Sequence, residues 1–155
     1  MNIKVTSGVG EGLTEVSAFD SALLDAGVGN YNLIEISSVI PPGSEIEVGD
    51  FRAKEAQYGD KLYLVLSKQY EETEGEEAWS GLGWTQDKKS GKGLFLEGSG
   101  SSEEEVVKTI RKTFLSVRKK RSEKLADVTI ETTGIECEKN PVCAITAAVY
   151  KNEDW

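Results

Sequence analysis

The stretch Asn30-Tyr31-Asn32-Leu33-Ile34-Glu35-Ile36-Ser37-Ser38-Val39-Ile40-Pro41-Pro42 decides how this chain is read. Apolar residues run into two serines, and two prolines, which cannot donate to a sheet ladder, stop the run. The segment predicts a buried strand ending at Ser37. A serine pair at such an end is either a hydrogen-bonded turn or a place where the backbone cuts itself and leaves a reactive carbonyl. The choice carries weight because the chain contains no histidine. Most familiar acid–base and nucleophilic machinery is therefore missing, and a carbonyl made from the chain itself would replace it.

At 155 residues, with 38% hydrophobic and 29% charged residues, the chain fits one soluble domain with a single core. No apolar run approaches the roughly 20 residues that span a bilayer. Met1-Asn2-Ile3-Lys4-Val5 begins directly as a strand without a signal-peptide pattern, so a cytoplasmic protein is expected. The formal net charge of −9 argues against a nucleic-acid partner and favours cationic ligands by steering. The basic cluster Arg118-Lys119-Lys120-Arg121 falls at a predicted helix C-terminus, where cations complement the helix dipole. Cys137 and Cys143 flank Asn140-Pro141. The turn admits a disulfide, a reducing cytoplasm favours free thiols, and Cys143 opens an apolar run that suits buried packing. Without histidine or a CxxC pair, the chain offers no zinc site, and no metal is expected.

The first strand is predicted over about Ile3 to Ser7, leading through Gly8-Val9-Gly10-Glu11-Gly12. A helix follows from about Thr14 to Ala26, with Phe19, Ala22, Leu23 and Ala26 on one face and Gly27 ending it. Phe51 to Glu97 reads as β-rich, with strands at Leu62–Leu66, Ala78–Trp84 and Gly93–Glu97. The glycines of the second suit close packing, and the acidic run Glu71–Glu77 is a solvated loop or hairpin tip. Ser102 and Glu105 form a capping box ahead of a helix striped with Val106, Val107, Ile110, Phe114 and Val117. Strands near Asp127–Thr132 and Val142–Tyr150 close the chain, and the mixture predicts an α+β layered sandwich.

Cutting at the serine pair has definite requirements. The Ser38 hydroxyl attacks the Ser37 carbonyl carbon, which needs a donor on the carbonyl oxygen. An ester replaces the amide, and loss of the Ser38 α-proton then eliminates the Ser37 carboxylate. Hydrolysis of the remaining enamine releases ammonia and leaves a pyruvoyl group on the former Ser38. The products would be residues 1–37 and 38–155, one unit more negative in total. A pyruvoyl carbonyl takes up a substrate amine and acts as an electron sink when carbon dioxide leaves.

The wider pattern Ala18-Phe19-Asp20-x-Ala22-Leu23-Leu24-x-Ala26-Gly27-x-Gly29-Asn30-x-Asn32-Leu33-Ile34-x-Ile36-Ser37-Ser38-x-Ile40-Pro41-Pro42 resembles the pyruvoyl-dependent arginine decarboxylase family. The likeness is strong over about residues 3–47. It continues more loosely through Gly93–Glu97 and Cys143–Ala148, and is poor from about Phe51 to Lys92. The resemblance implies a four-layer αββα sandwich, self-cleavage between Ser37 and Ser38, and a covalent pyruvoyl cofactor derived from Ser38. It implies decarboxylation of L-arginine to agmatine, in a homotrimer of cleaved αβ protomers with sites between neighbours. By the same resemblance Asn32 orients the scissile carbonyl, and Asp20 pairs with the substrate guanidinium, a bidentate match. Glu97 returns a proton to the α-carbon from a partly desolvated position, and Leu24, Gly29 and Tyr31 lie near the substrate pocket. Seen alone, Asn32 suits a strand-start turn, Asp20 a helix flank, and Glu97 a solvated strand end. A histidine-specific pyruvoyl decarboxylase and an unprocessed, non-catalytic binding module are the alternatives.

Overall fold

The computed structural model describes residues 1–52 and 58–155, so the part of the β-rich reading that falls on 53–57 lies outside the described residues. The chain is α+β, with two helices and two sheets among the described residues. Its elements are β1 (Asn2–Glu11), α1 (Glu15–Asp25), β2 (Asn32–Glu35), β3 (Val39–Ile40), β4 (Glu45–Val48) and β5 (Lys61–Glu71). Then come β6 (Glu77–Gln86), β7 (Gly93–Gly100), α2 (Glu103–Lys120), β8 (Thr129–Glu136) and β9 (Val142–Glu153). One sheet has the order β2-β5-β9-β1-β4 and the other β3-β7-β6-β8. Within the first, β1–β4 and β2–β5 run parallel, and the remaining pairs are antiparallel.

The apolar run of β9 is continuous because both faces of that strand are covered. Cys143, Ile145, Ala147 and Val149 meet Ala18, Ala22, Leu23 and Ala26 of the α1 segment. Ala148, from the opposite face, joins Ile3, Val5, Ile40, Val65, Leu82 and Phe95. A third cluster joins Val106, Ile110 and Phe114 of α2 to Leu96 and Leu125. Fully burying each of those α2 side chains is worth about 1.5–3 kcal/mol. Both cysteines are free and buried, and burial pushes the Cys143 thiol up to about 11.

Three expectations are corrected, and one open alternative is decided. The glycine run after Ser7 is strand, not connection, because α1 lies directly on it: a Cβ at Gly8 or Gly10 would collide with the Ala22 backbone. The stretch ahead of the serines ends as strand at Glu35, and it is a half-exposed edge strand rather than a buried one. The acidic turn between β5 and β6 is solvated but is no hairpin tip, since its two strands belong to different sheets. The Glu71 carboxylate organises that turn by accepting from Glu72 and Thr73 N–H groups, both at 2.8 Å. At α2 the Ser102 hydroxyl accepts from Glu105 N–H at 3.2 Å, but the Glu105 carboxylate reaches back to Ser101, so the capping box is only half made. The complete box is at α1, between Thr14 and Ser17.

Candidate active site

The serine pair lies where the chain leaves one sheet for the other. Ile36 N–H still bonds Leu64 O at 2.9 Å on the five-stranded side. Two residues later Phe95 N–H bonds Ser38 O at 2.8 Å on the four-stranded side. β2 and β3 are edge strands of their respective sheets, so Ser37 and Ser38 bridge edge to edge. Between them the backbone folds tightly, with Val39 N–H donating to Ser37 O at 2.8 Å across a three-residue turn. No residue other than glycine has positive φ among the described residues, which makes this an inverse γ-turn centred on Ser38.

The Ser38 hydroxyl donates to Glu97 Oε1 at 2.8 Å. β7 supplies both Phe95 and Glu97, two residues apart and therefore on one face. β3 is only two residues long, so β7 has no strand partner beyond Leu94 on that side, and Glu97 stands exposed there. The partial desolvation expected of Glu97 is therefore not present in the single chain. Its neighbour Gly98 is pinned from the other sheet, where the buried Ser67 hydroxyl donates to Gly98 O at 2.7 Å. Glu97 also lines a cavity of about 340 Å³ with Ser67, Lys68, Ser99 and Thr109.

Of the other candidate residues, Tyr31 and Asn32 stand at the far end of β2 and Asp20 and Leu24 on α1. Asn32 donates its side-chain amide to Gly59 O at 2.6 Å and its backbone N–H to Asp60 O at 2.8 Å. Six residues of extended chain separate it from Ser38, up to about 20 Å, and no bond joins its amide to the scissile carbonyl. Asp20 and Leu24 are exposed on α1, and Gly29 packs so closely under Leu24 that a Cβ there would overlap its side chain. Tyr31 stacks edge-on against Phe51, with ring centroids 6.0 Å apart. Burial, then the Asp60 carboxylate, push its phenol pKa upward. Leu24 and Tyr31 line a cavity of about 610 Å³ with Asp25, Asp50 and Arg52; Asp20, Gly29 and Asn32 do not. The structure thus brings Ser37, Ser38 and Glu97 together, places Leu24 and Tyr31 on a second cavity with Gly29 against Leu24, and joins Asp20 and Asn32 to neither set.

One residue of this neighbourhood escaped the sequence reading. Tyr150 donates its hydroxyl to Val39 O at 2.9 Å. The only available signal was parity, since Tyr150 shares a strand face with Thr146 and Ala148, which faces the second sheet.

A two-sheet α+β protein whose Ser-Ser peptide spans the two sheet edges, with a carboxylate on the second serine, is the class these observations define. The family model described as pyruvoyl-dependent arginine decarboxylase matches residues 2–154. A pyruvoyl-dependent arginine decarboxylase of Methanopyrus kandleri is 32% identical over 146 residues, covering 94% of this chain and 92% of the relative. Those of Pyrococcus abyssi and Thermococcus sibiricus are 33% and 35% identical over 140 residues, each covering 90% of this chain and 87% of the relative. The chain belongs to the pyruvoyl-dependent arginine decarboxylase family, whose description implies a pyruvoyl cofactor.

Proposed function

We propose that this chain is a single-domain proenzyme that cuts itself between Ser37 and Ser38 and then decarboxylates L-arginine to agmatine and carbon dioxide. The observation that carries the reading is the 2.8 Å bond from the Ser38 hydroxyl to Glu97, beside the carbonyl the hydroxyl must attack. Family membership over residues 2–154 supplies the reaction type and the substrate class. Three of the four apolar clusters among the described residues, one under α1, one between the sheets and one under α2, support a four-layer αββα sandwich.

The residues fit a pyruvoyl group derived from Ser38. The Ser38 carbonyl is retained in that group, and Phe95 N–H at 2.8 Å would continue to hold it. The group would supply a carbonyl that takes the substrate amine and accepts the electron pair left as carbon dioxide departs. Glu97 holds the proton that returns to the α-carbon. Asp20 accepts the substrate guanidinium in a charge-assisted pair, with Leu24, Gly29 and Tyr31 shaping the pocket, and Asn32, its amide on Gly59 O, fixing the start of the strand that leads to the scissile bond. Because the cavity lined by Leu24 and Tyr31 includes neither Ser38 nor Glu97, the reading calls for a neighbouring subunit to complete each site. A homotrimer of cleaved protomers meets that need, and the 53% exposed Leu24 and the edge strand β2 suit such an interface.

Intact mass of freshly purified protein tests the reading. Two fragments, 1–37 and 38–155, are expected, the larger one blocked to Edman chemistry and reactive toward phenylhydrazine. Ser38→Ala should remain full length and inactive. A single unmodified parent chain after prolonged incubation refutes the reading. Turnover of histidine without turnover of arginine refutes the substrate assignment.

A further inference from the structure

The peptide that follows the serine pair is held from a direction that the proposed chemistry leaves unused. The Tyr150 hydroxyl reaches from β9 in one sheet to the carbonyl of Val39, the first residue of β3 in the other, at 2.9 Å. A register break accompanies this reach. In the β5–β9 ladder Tyr63 faces Lys151 while Leu64 faces Val149, so Tyr150 is the extra residue of a bulge. Bulges bend a strand and re-aim a side chain. The ring packs edge-on against Phe95, centroids 6.1 Å apart, and its burial pushes the phenol up to about 12. The hydroxyl therefore stays a donor throughout the neutral range.

Three bonds converge on Ser38 and Val39. Val39 N–H donates to Ser37 O and Phe95 N–H to Ser38 O, both at 2.8 Å, while Tyr150 holds Val39 O. The Ser37 oxygen is the one that takes negative charge when the Ser38 hydroxyl attacks, and a donor aimed at it lowers that barrier. In this chain the donor on it is the Val39 amide, since the Asn32 amide is engaged with Gly59.

Resting on the self-cutting reading, we propose that Tyr150 is a positioning residue for the chain break, clamping Val39 so that its N–H stays on the Ser37 carbonyl oxygen during attack. In that step the bond from Ser38 Oγ to the Ser37 carbon forms and the Ser37–Ser38 C–N bond breaks. The hydroxyl proton passes by way of Glu97 to the departing nitrogen. Val39 lends a hydrogen bond and no proton. Tyr150 touches no reacting atom and acts through Val39.

The test follows newly made precursor by intact mass, with and without hydroxylamine, which cleaves the ester formed by the attack. Tyr150→Phe should cut more slowly than the parent by about tenfold or more, a small part of what losing an oxyanion donor costs. Its hydroxylamine-induced cleavage should fall by the same factor, because the attack itself is impaired. Melting temperatures of uncut Ser38→Ala and of Ser38→Ala with Tyr150→Phe should agree within about 4 °C. Parent-like cutting by Tyr150→Phe overturns the proposal. So does slow cutting with parent-like hydroxylamine cleavage, or a fall in melting temperature well beyond that range. A parent that never cuts overturns the self-cutting reading instead.

Discussion

Replacing Glu97 with glutamine separates the two tasks that meet at this side chain. The substitution keeps length, shape and one oxygen that can accept from the Ser38 hydroxyl, now 2.8 Å from Glu97 Oε1. It removes the proton that a carboxyl can hold and return. Positioned proton transfer is worth about 10²- to 10⁴-fold, so turnover should fall by that factor, about 2.7–5.5 kcal/mol of barrier. Cutting should slow, with water relaying the Ser38 proton, but still run to completion.

Stability offers a clean control. Glu97 is exposed and makes no salt bridge among the described residues. Substitution at such a site changes stability by about 0.5 kcal/mol or less, under about 2 °C in melting temperature for a chain of this size. The assay counts reactive carbonyls with phenylhydrazine and measures agmatine released per carbonyl. Parent-like turnover per carbonyl in Glu97→Gln refutes the assignment of Glu97 as proton donor. Low turnover that only tracks a low carbonyl count would also refute it, because the defect would then lie in cutting.

Two further outcomes are expected. Asp20→Asn should raise KM for arginine about 10- to 100-fold, since a charge-assisted pair is worth about 1.5–3 kcal/mol; steady-state kinetics at constant ionic strength read it. Asp87 accepts from the N–H and hydroxyl of Ser90 and from Lys89 N–H, which hold its pKa below the ordinary carboxylate value. Its contribution is present above the unfolded pKa of about 4 and fades as pH falls through the lower folded value. Melting curves of the parent and of Asp87→Asn should therefore differ at neutral pH and converge in acid.

The parts of the fold legible in the sequence were those whose causes are local. The α2 stripe is read from spacing alone, and Val106, Ile110 and Phe114 are buried as it requires. Gly81 and Gly83 do sit under a close neighbour, Val106 and Ile110 of α2. Sheet membership was not legible, because no residue of the acidic turn says whether β6 returns beside β5 or crosses to another sheet. Gly8 and Gly10 read as a break by propensity, yet helix contact holds them in strand, a tertiary demand overriding a local one. At the site, Ser37, Ser38 and Glu97 were accessible through the family pattern, and the structure joins the serine pair to the glutamate. Tyr150 lies on the face of Ala148 by parity, but nothing in the local pattern shows that its hydroxyl crosses to the Val39 carbonyl of the other sheet.

The place of the serine pair also bears on why a severed chain would keep its shape. β1 is paired on both sides by strands from the downstream piece, β9 antiparallel and β4 parallel. β2 is paired with β5, and α1 shares its apolar cluster with β9 residues. A cut at Ser37-Ser38 breaks no ladder bond of either sheet, because the peptide spans the gap between two edges. What it releases is the small turn bond from Val39 N–H to Ser37 O, while Phe95 N–H keeps its hold on Ser38 O. Ser37 is exposed in the intact chain, so a new carboxylate there would be solvated without any repacking. A cut within β1 or β5 would instead sacrifice ladder bonds on both flanks. An edge-to-edge crossing is thus where a chain can break itself and lose least.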